Sequence, residues 1–319
     1  MLGKRKLGKT DIEVSSIGIG VMLWFDGKGL IWGRMPKVET EVKDTIIKEA
    51  FDGGVNFFDT AEMYGFGKSE MALSAALQAN NIEDRDVVIG TKWRPLFRRA
   101  RNMRKSINAR IKFLNPYTID LYMIHFPWFT FSTVNGQMNE MSKLIQKDKV
   151  RSVGVSNFKE ERMRKAHEIL EQYDIPLAVN QVQYNLINRE IETNGVLEAA
   201  KELGVTIIAH SPLGRGLLTA KYHSNPDLLK NKFFGFRRST KRNLDKTRPL
   251  IETLTEIGKQ YSATPGQVAL NWLITYTGKT VVAIPGATKL GHAQESAGAM
   301  TFTLSKAELN EIAKESEKL

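Results

Sequence analysis

The sequence predicts an α/β chain folded as a single (β/α)8 TIM barrel domain over residues 1–319. An N-terminal β-hairpin, a long basic loop after strand 7 and an extra C-terminal helix complete it. Three observations carry this. Short apolar runs alternate with segments of helical period, and unbroken βα alternation builds a parallel sheet. Eight such units fill roughly 280 residues, close to the usual ~250 of a closed barrel. Asp59, Lys92 and His125 each end an apolar run, and each follows the one before it by 33 residues. One βαβ step takes about 30 or more residues, so the same place recurs on three successive strands. An open, doubly wound sheet would need a glycine-rich turn between its first strand and helix. Gly18-Ile19-Gly20 lacks the third glycine and the helix of that fingerprint.

The elements follow in order. Lys4 to Val14 reads as a hairpin with Gly8-Lys9-Thr10-Asp11 at its turn, and Ile17 to Leu23 as the first barrel strand. Helix Glu39–Asp52 places Val42, Ile46, Ile47, Ala50 and Phe51 on one face. Strand Val55–Asp59, helix Ser69–Ala79, strand Asp86–Lys92 and a helix at about Arg101–Leu114 come next. Strand Asp120–Phe126, helix Thr133–Lys147, strand Ser152–Val155, helix Glu160–Gln172 and strand Leu177–Val182 continue the pattern. Helix Ile191–Leu203 leads to strand Val205–Ala209. Residues 214–246 are too many for an ordinary connection and read as a lid. Helices Arg248–Tyr261 and Pro265–Tyr276 precede strand Thr280–Ile284, helix Gly291–Ala299 and a terminal helix opened by Ser305.

Composition narrows the function. With no cysteine there is no disulfide, no thiolate nucleophile and no Cys-ligated metal. The charged N-terminus lacks the apolar segment of a signal peptide, and no apolar run spans a membrane, so a cytoplasmic protein is expected. The net charge of +11 gathers in two blocks, Arg94–Lys112 and Lys230–Arg248. Each follows a predicted strand end, so both should flank one mouth. Two readings stand: solvated surface, or a field that draws an anionic cofactor or substrate. Nucleic acid is not expected, because aromatic residues do not interleave with the cations between Arg98 and Lys112. No H-E-x-x-H pattern points to a metal, and no G-x-S-x-G elbow surrounds Ser156 or Ser211.

The strand-end set carries chemistry. Charged groups at the inner ends of barrel strands are costly unless paired. Asp59 and Lys92 on adjacent strands solve that for each other. Tyr64 lies in the loop after Asp59; beside Lys92 its phenol should ionise more easily, making it a general acid for a carbonyl oxygen gaining charge. His125 can aim a hydrogen bond at the same oxygen. Trp24, Trp93 and Trp128, just past strand ends, are candidate walls of a substrate pocket, and each could equally cap the barrel core. Arg98 and Arg99 on the rim suggest an anionic or phosphorylated carbonyl.

Six ordered segments carry a family resemblance. They are Gly54 to Gly65, Ile119 to His125, Val153 to Phe158, Asn180 to Asn185, Ser211 to Gly216 and Ile284 to Ala287. Together they resemble the aldo-keto reductases, from about Lys4 to Met300. The resemblance implies NAD(P)H-dependent reduction of an aldehyde or ketone, with a sugar among the candidates. Tyr64 would be the acid, Lys92 its neighbour, Asp59 the partner of Lys92, and His125 the carbonyl donor. It implies that Ser156, Asn157 and Gln181 hold the carboxamide and that His210 stacks on the nicotinamide. Ser211, Leu213, Arg215 and Gly216 would follow the pyrophosphate. Ile284, Gly286 and Lys289 would serve the 2′-phosphate end, and Glu295 the adenine. NADP(H) is preferred, with NAD(H) as the alternative.

Three departures bear on the cofactor. Lys289 is the one plain cation in Gly286–His292, where NADPH-specific members often carry several, with His292 and the helix N-terminus as aids. His210 stands where an aromatic residue, commonly tyrosine, is usual. An imidazole titrating near 6.5 predicts weaker cofactor binding on acidification between pH 8 and 5. Ser296 stands where asparagine is usual. The competing reading is a cofactor-binding regulatory or auxiliary subunit of the same fold with little turnover. The partner is a small-molecule carbonyl or alcohol, and a homo-oligomer is compatible with the sequence.

Overall fold

Strands covered on both faces must bury every residue, and the six residues of β5 (Val88–Trp93) do so. The computed structural model describes residues 2–25, 37–230 and 234–319. Its other strands are β1 (Arg5–Lys6), β2 (Glu13–Val14), β3 (Ile19–Gly20), β4 (Phe57–Asp59), β6 (Leu121–Ile124), β7 (Ser152–Ser156), β8 (Leu177–Gln183), β9 (Thr206–His210) and β10 (Val281–Ile284). β3 to β10 pair in parallel, each with its neighbour in sequence. The ring closes through bridges from Ile17 to Ala283 and from Gly20 to Gly286. The expected barrel is present.

Helices α1 (Thr40–Asp52), α2 (Lys68–Ala79), α3 (Met103–Leu114), α4 (Val134–Ile145) and α5 (Glu160–Glu171) lie where their periodicity puts them. So do α9 (Pro265–Thr275), α10 (Leu290–Gly298) and α11 (Lys306–Ser316). Thr264 and Ser305 open α9 and α11 with capping boxes. α6 (Val196–Leu203) begins later than Ile191, which sits in a 3-10 turn. The break is at Gly195, whose φ of +83 a side chain would strain, and where an added Cβ would meet Glu160 Oε2.

Two cores share the strands. Leu7, Ile12 and Val14 of the hairpin pack with Phe57, Val88, Leu121, Met123, Val179, Ile208 and Val282 inside the ring. The hairpin therefore plugs one end. Its turn fits closely: Gly8 has φ +58, and a Cβ there would lie 2.6 Å from Ala178 O. The alternate strand residues, Phe58, Ile89, Trp93, Tyr122 and Ile124 among them, join the layer between strands and helices. Inward and outward positions thus alternate, except at the start of β8, where Ala178 and Val179 both join the inner cluster and the β7–β8 register shifts.

The segment after β9 is ordered wherever it is described. A 3-10 stretch Gly214–Thr219 leads into α7 (Lys221–Ser224) and a second 3-10 turn Pro226–Leu229. Leu217, Tyr222, Leu229 and Leu244 form a small core of their own. α8 (Phe234–Gln260) starts at Phe234 rather than Arg248 and runs through Pro249. His223 Nε2 lies 2.9 Å from Thr247 Oγ1, tying the short helix to the long one. Lys232 of the second basic block lies outside the described residues.

Candidate active site

Alternation decides which strand-end side chains share the barrel mouth. Phe57, Val88, Leu121, Val179 and Ile208 face inward, so Asp59, Lys92, His125, Gln181 and His210 are in phase with them. Lys92 Nζ donates to Asp59 Oδ1 at 2.8 Å and Oδ2 at 2.6 Å, and to Thr60 O at 2.8 Å. Gln181 Nε2 donates to Asp59 Oδ1 at 2.8 Å. Burial works against the ammonium, but Asp59, with Tyr64, outweighs it and lifts Lys92 above its ordinary range.

Tyr64 follows on the β4–α2 turn, its N–H donating to Ala61 O at 3.0 Å. Lys92 Nζ is 5.2 Å from its ring centroid, and the His125 ring meets it edge-on at 5.5 Å. The expected lowering of its phenol pKa is not found. Burial raises it more than Lys92 lowers it, and Asp59 adds to the rise, so Tyr64 lies above 10.0. Burial, then Lys92 and His210, holds His125 well below 6.5, so its ring is neutral.

A polar chain continues round the mouth. Ser156 Oγ donates to Gln181 O at 2.8 Å, and Asn157 Nδ2 donates to Ser156 Oγ at 2.9 Å and to His125 O at 3.3 Å. His210 Nε2 lies 3.3 Å from Asn157 Oδ1, and its Nδ1 3.3 Å from Ser211 Oγ. Burial first, then Lys92 and Arg215, lowers His210 to about 4. The expected titration between pH 8 and 5 is therefore overturned: His210 stays neutral there.

Beyond β9 the backbone turns sharply. Ser211, Gly214, Arg215 and Gly216 all have positive φ, from 53 to 90, the kind of loop that turns N–H groups into a concavity for anions. Leu213 O accepts from Gly216 N at 2.9 Å. On the neighbouring strand, Ile284 ends β10 beside His210, Gly286 bridges Gly20, and Lys289 is the exposed N-cap of α10. His292 Nδ1 accepts from Thr288 N at 3.2 Å, which leaves Nε2 as the ring donor. Glu295 lies one turn on, 3.5 Å from Thr264 Oγ1. Ser296 is buried and donates to His292 O within the helix, so it makes no outward contact.

Other expectations for the site fail or were missing. Trp24 and Trp93 are fully buried, their Nε1 atoms bonded to Ala287 O at 2.7 Å and Asn102 Oδ1 at 3.3 Å. Among the described residues they face no open pocket. Trp93 follows inward Lys92 and must point outward, a parity already readable in the sequence. Trp128 is 48% exposed and stacks on Phe126 at 5.3 Å, which in turn lies 5.5 Å from His125. Arg98 is not an open cation, because its Nη1 pairs with Glu62 Oε1 at 2.7 Å. Lys221 was not singled out from sequence. A Cβ on Gly216 would sit 2.6 Å from its Nζ, and its charge reaches His292. Its signal was its place in the turn after Ser211–Gly216.

The aldo/keto reductase family profile matches residues 16–317. The chain belongs to that family. It is 31% identical over 316 residues to a probable aldo-keto reductase 1 of Glycine max, covering 96% of this chain and 87% of the relative. It is 32% identical over 330 residues to a chloroplastic pyridoxal reductase of Arabidopsis thaliana, covering 99% and 87%. The solved glycerol dehydrogenase of Gluconobacter oxydans superposes with a TM-score of 0.80 at 26% identity, covering 98% and 94%. Aldo-keto reductases are oxidoreductases that use nicotinamide cofactors, and this chain is such an enzyme of carbonyl and alcohol groups. No described helix is long and apolar enough to cross a membrane.

Proposed function

We propose that this aldo-keto reductase reduces an aldehyde or ketone with Tyr64 as proton donor and NADPH as the preferred cofactor. The carrying observation is the buried Lys92–Asp59 pair beside Tyr64, with His125 at the ring edge. The chain suits a nicotinamide dinucleotide. Neutral His210 offers a flat ring, Ser156, Asn157 and Gln181 offer amide partners, and Arg215, Lys221, Lys289 and His292 bring donors to its phosphates. The reduced cofactor, when bound, supplies hydride to the carbonyl carbon.

The residues do the rest. His125, neutral, donates a hydrogen bond to the carbonyl oxygen. Tyr64, protonated at neutral pH and held so further into alkali by its raised pKa, gives its proton to that oxygen as charge develops. Lys92 stabilises the phenolate left behind, and solvent returns the proton. In the alcohol-oxidising direction the phenolate accepts it.

An anionic or phosphorylated carbonyl is the favoured substrate class. Arg99, Arg101 and Lys105 have no acidic ion-pair partner among the described residues, and with Arg98 and Asn102 they form an open basic patch around the start of α3. Charge reversal at Arg99 and Arg101 is expected to lower activity on phosphorylated aldehydes selectively; an unchanged ratio to neutral aldehydes removes that class. The names of the relatives support an aromatic aldehyde such as pyridoxal, or a small polyol, as further substrates to screen. A cytoplasmic location goes with this reading.

The test is NADPH oxidation with a panel of aldehydes. Tyr64→Phe should lose about 10²–10⁴-fold in kcat and keep NADPH affinity. Tight NADPH binding without turnover on any carbonyl would favour the auxiliary-subunit reading instead.

A further inference from the structure

Glu62 lies two residues before Tyr64 and is not part of the chemistry described above. Its side chain is 12% exposed. Its backbone N–H donates to Lys92 O at 3.1 Å, continuing the β4–β5 ladder beyond Asp59. Its carboxylate reaches the next loop. Oε2 accepts from Arg94 N at 2.9 Å, and Oε1 accepts from Arg98 Nη1 at 2.7 Å. Arg110 Nη1 stands 3.6 Å from Oε1, while its Nε pairs with Glu70 Oε2 at 2.8 Å. One acidic side chain thus holds Arg94 and Arg98 of the β5–α3 connection, with Arg110 of α3 nearby.

That connection borders the mouth. Arg98 O accepts from Phe131 N at 3.0 Å, and Phe97 N donates to Phe129 O at 2.6 Å, so it is also sewn to the β6–α4 loop. Phe97 and Phe129 are exposed and sit at φ +53 and +55, a backbone region that bulky residues rarely adopt. Such conformations persist only when surrounding contacts over-determine them. Glu62 is the joint between this constrained rim and the turn that carries Tyr64.

We propose that Glu62 is a positioning residue for proton transfer, fixing the 60–64 turn to the substrate rim so that Tyr64 meets the carbonyl oxygen. The proposal rests on Tyr64 being the proton donor. Glu62 touches no reacting atom; it acts through the backbone of its own turn and through Arg98. A misplacement of about 1 Å in an active site can cost about 10²-fold in rate, and Glu62→Gln gives up the charge and one of two strong acceptors.

The experiment compares wild type, Glu62→Gln, Arg98→Met and the double variant. Glu62→Gln is expected to lower kcat about 100-fold, raise the solvent deuterium isotope effect on kcat, and leave the NADPH dissociation constant unchanged. Arg98→Met should lose a comparable factor, and the double variant no more than either alone. Amide exchange should quicken selectively over residues 60–69 and 94–99. Unchanged exchange in those segments, or a kcat loss matched by equal loss of NADPH affinity, overturns the proposal. Failure of the underlying reading looks different: Tyr64→Phe then keeps its activity, while the exchange measurement still reports on the joint.

Discussion

Lys92 Nζ lies 2.8 and 2.6 Å from the two carboxylate oxygens of Asp59, and both side chains are closed to solvent. Each ion is the other's reason to be charged there. Asp59→Asn leaves a buried ammonium uncompensated, which costs about 3–5 kcal/mol. The midpoint of urea denaturation at pH 7 should fall accordingly, and turnover should fall with it. A loss under about 1 kcal/mol would mean the pair behaves as a solvated surface bridge.

The raised phenol of Tyr64 sets the alkaline side of the rate profile. The protonated form is the donor, so reduction is lost only as pH rises through its own pKa, above 10.0. kcat/KM for reduction should therefore stay level from pH 7 to 9, and alcohol oxidation should still be climbing over that range. A reductive limb breaking below pH 9 contradicts the burial argument.

His210 makes two separable predictions. Its folded value of about 4 keeps it neutral between pH 5 and 8, so the NADPH dissociation constant should not change across that range. The unfolded imidazole takes a proton below 6.5, so the stability tied to neutral His210 is full above 6.5 and is lost as pH falls towards 4. The loss is about 1–3 kcal/mol for this half-buried ring. His210→Gln should flatten part of that slope in thermal melts, and His125, shifted in the same sense, keeps the remainder.

Lys289 and Lys221 should divide the cofactor's charges between them. Lys289→Glu is expected to weaken NADPH by roughly 10–100-fold, the worth of a charged hydrogen bond, with NADH nearly unaffected. Lys221→Met should weaken both, since it lies beside Gly216. Titration of each variant with the two cofactors, side by side, checks this. Equal losses for both cofactors in Lys289→Glu would place the 2′-phosphate elsewhere.

At the other end of the barrel, Gly8→Ala should destabilise by about 2 kcal/mol or more. It forces a left-handed alanine and drives a methyl against Ala178 O. Thermal melts will show it, while kcat should change little, because the hairpin plugs the end away from the site.

Much of this molecule was legible in advance because a barrel repeats. The 33-residue step put Asp59, Lys92 and His125 on one rim, while Gln181 and His210 came only from the resemblance to the aldo-keto reductases. Strand alternation, applied one residue past Lys92, would have sent Trp93 outward into the helix layer. Other features needed three dimensions. The start of α8 was hidden because Pro249 looks like a helix opening, and the polar turns before it carry no clear stripe. The directions of the Tyr64 and His210 shifts depend on burial by segments far away in sequence. The pairing of Arg98 with Glu62 is equally invisible in a run of arginines that reads as one basic block.

The seam of the barrel bears on how the protein is made. The first strand has two residues and meets the last through bridges at Ile17–Ala283 and Gly20–Gly286. The plug at the far end also waits for late residues, since Leu7, Ile12 and Val14 pack against Ile208 and Val282. A nascent chain still short of Val281 therefore holds its growing sheet with open edges and its opening hairpin without a socket, the state most exposed to mispairing. The ring can shut only once Val281–Ile284 is available to meet β3, however many earlier units have formed.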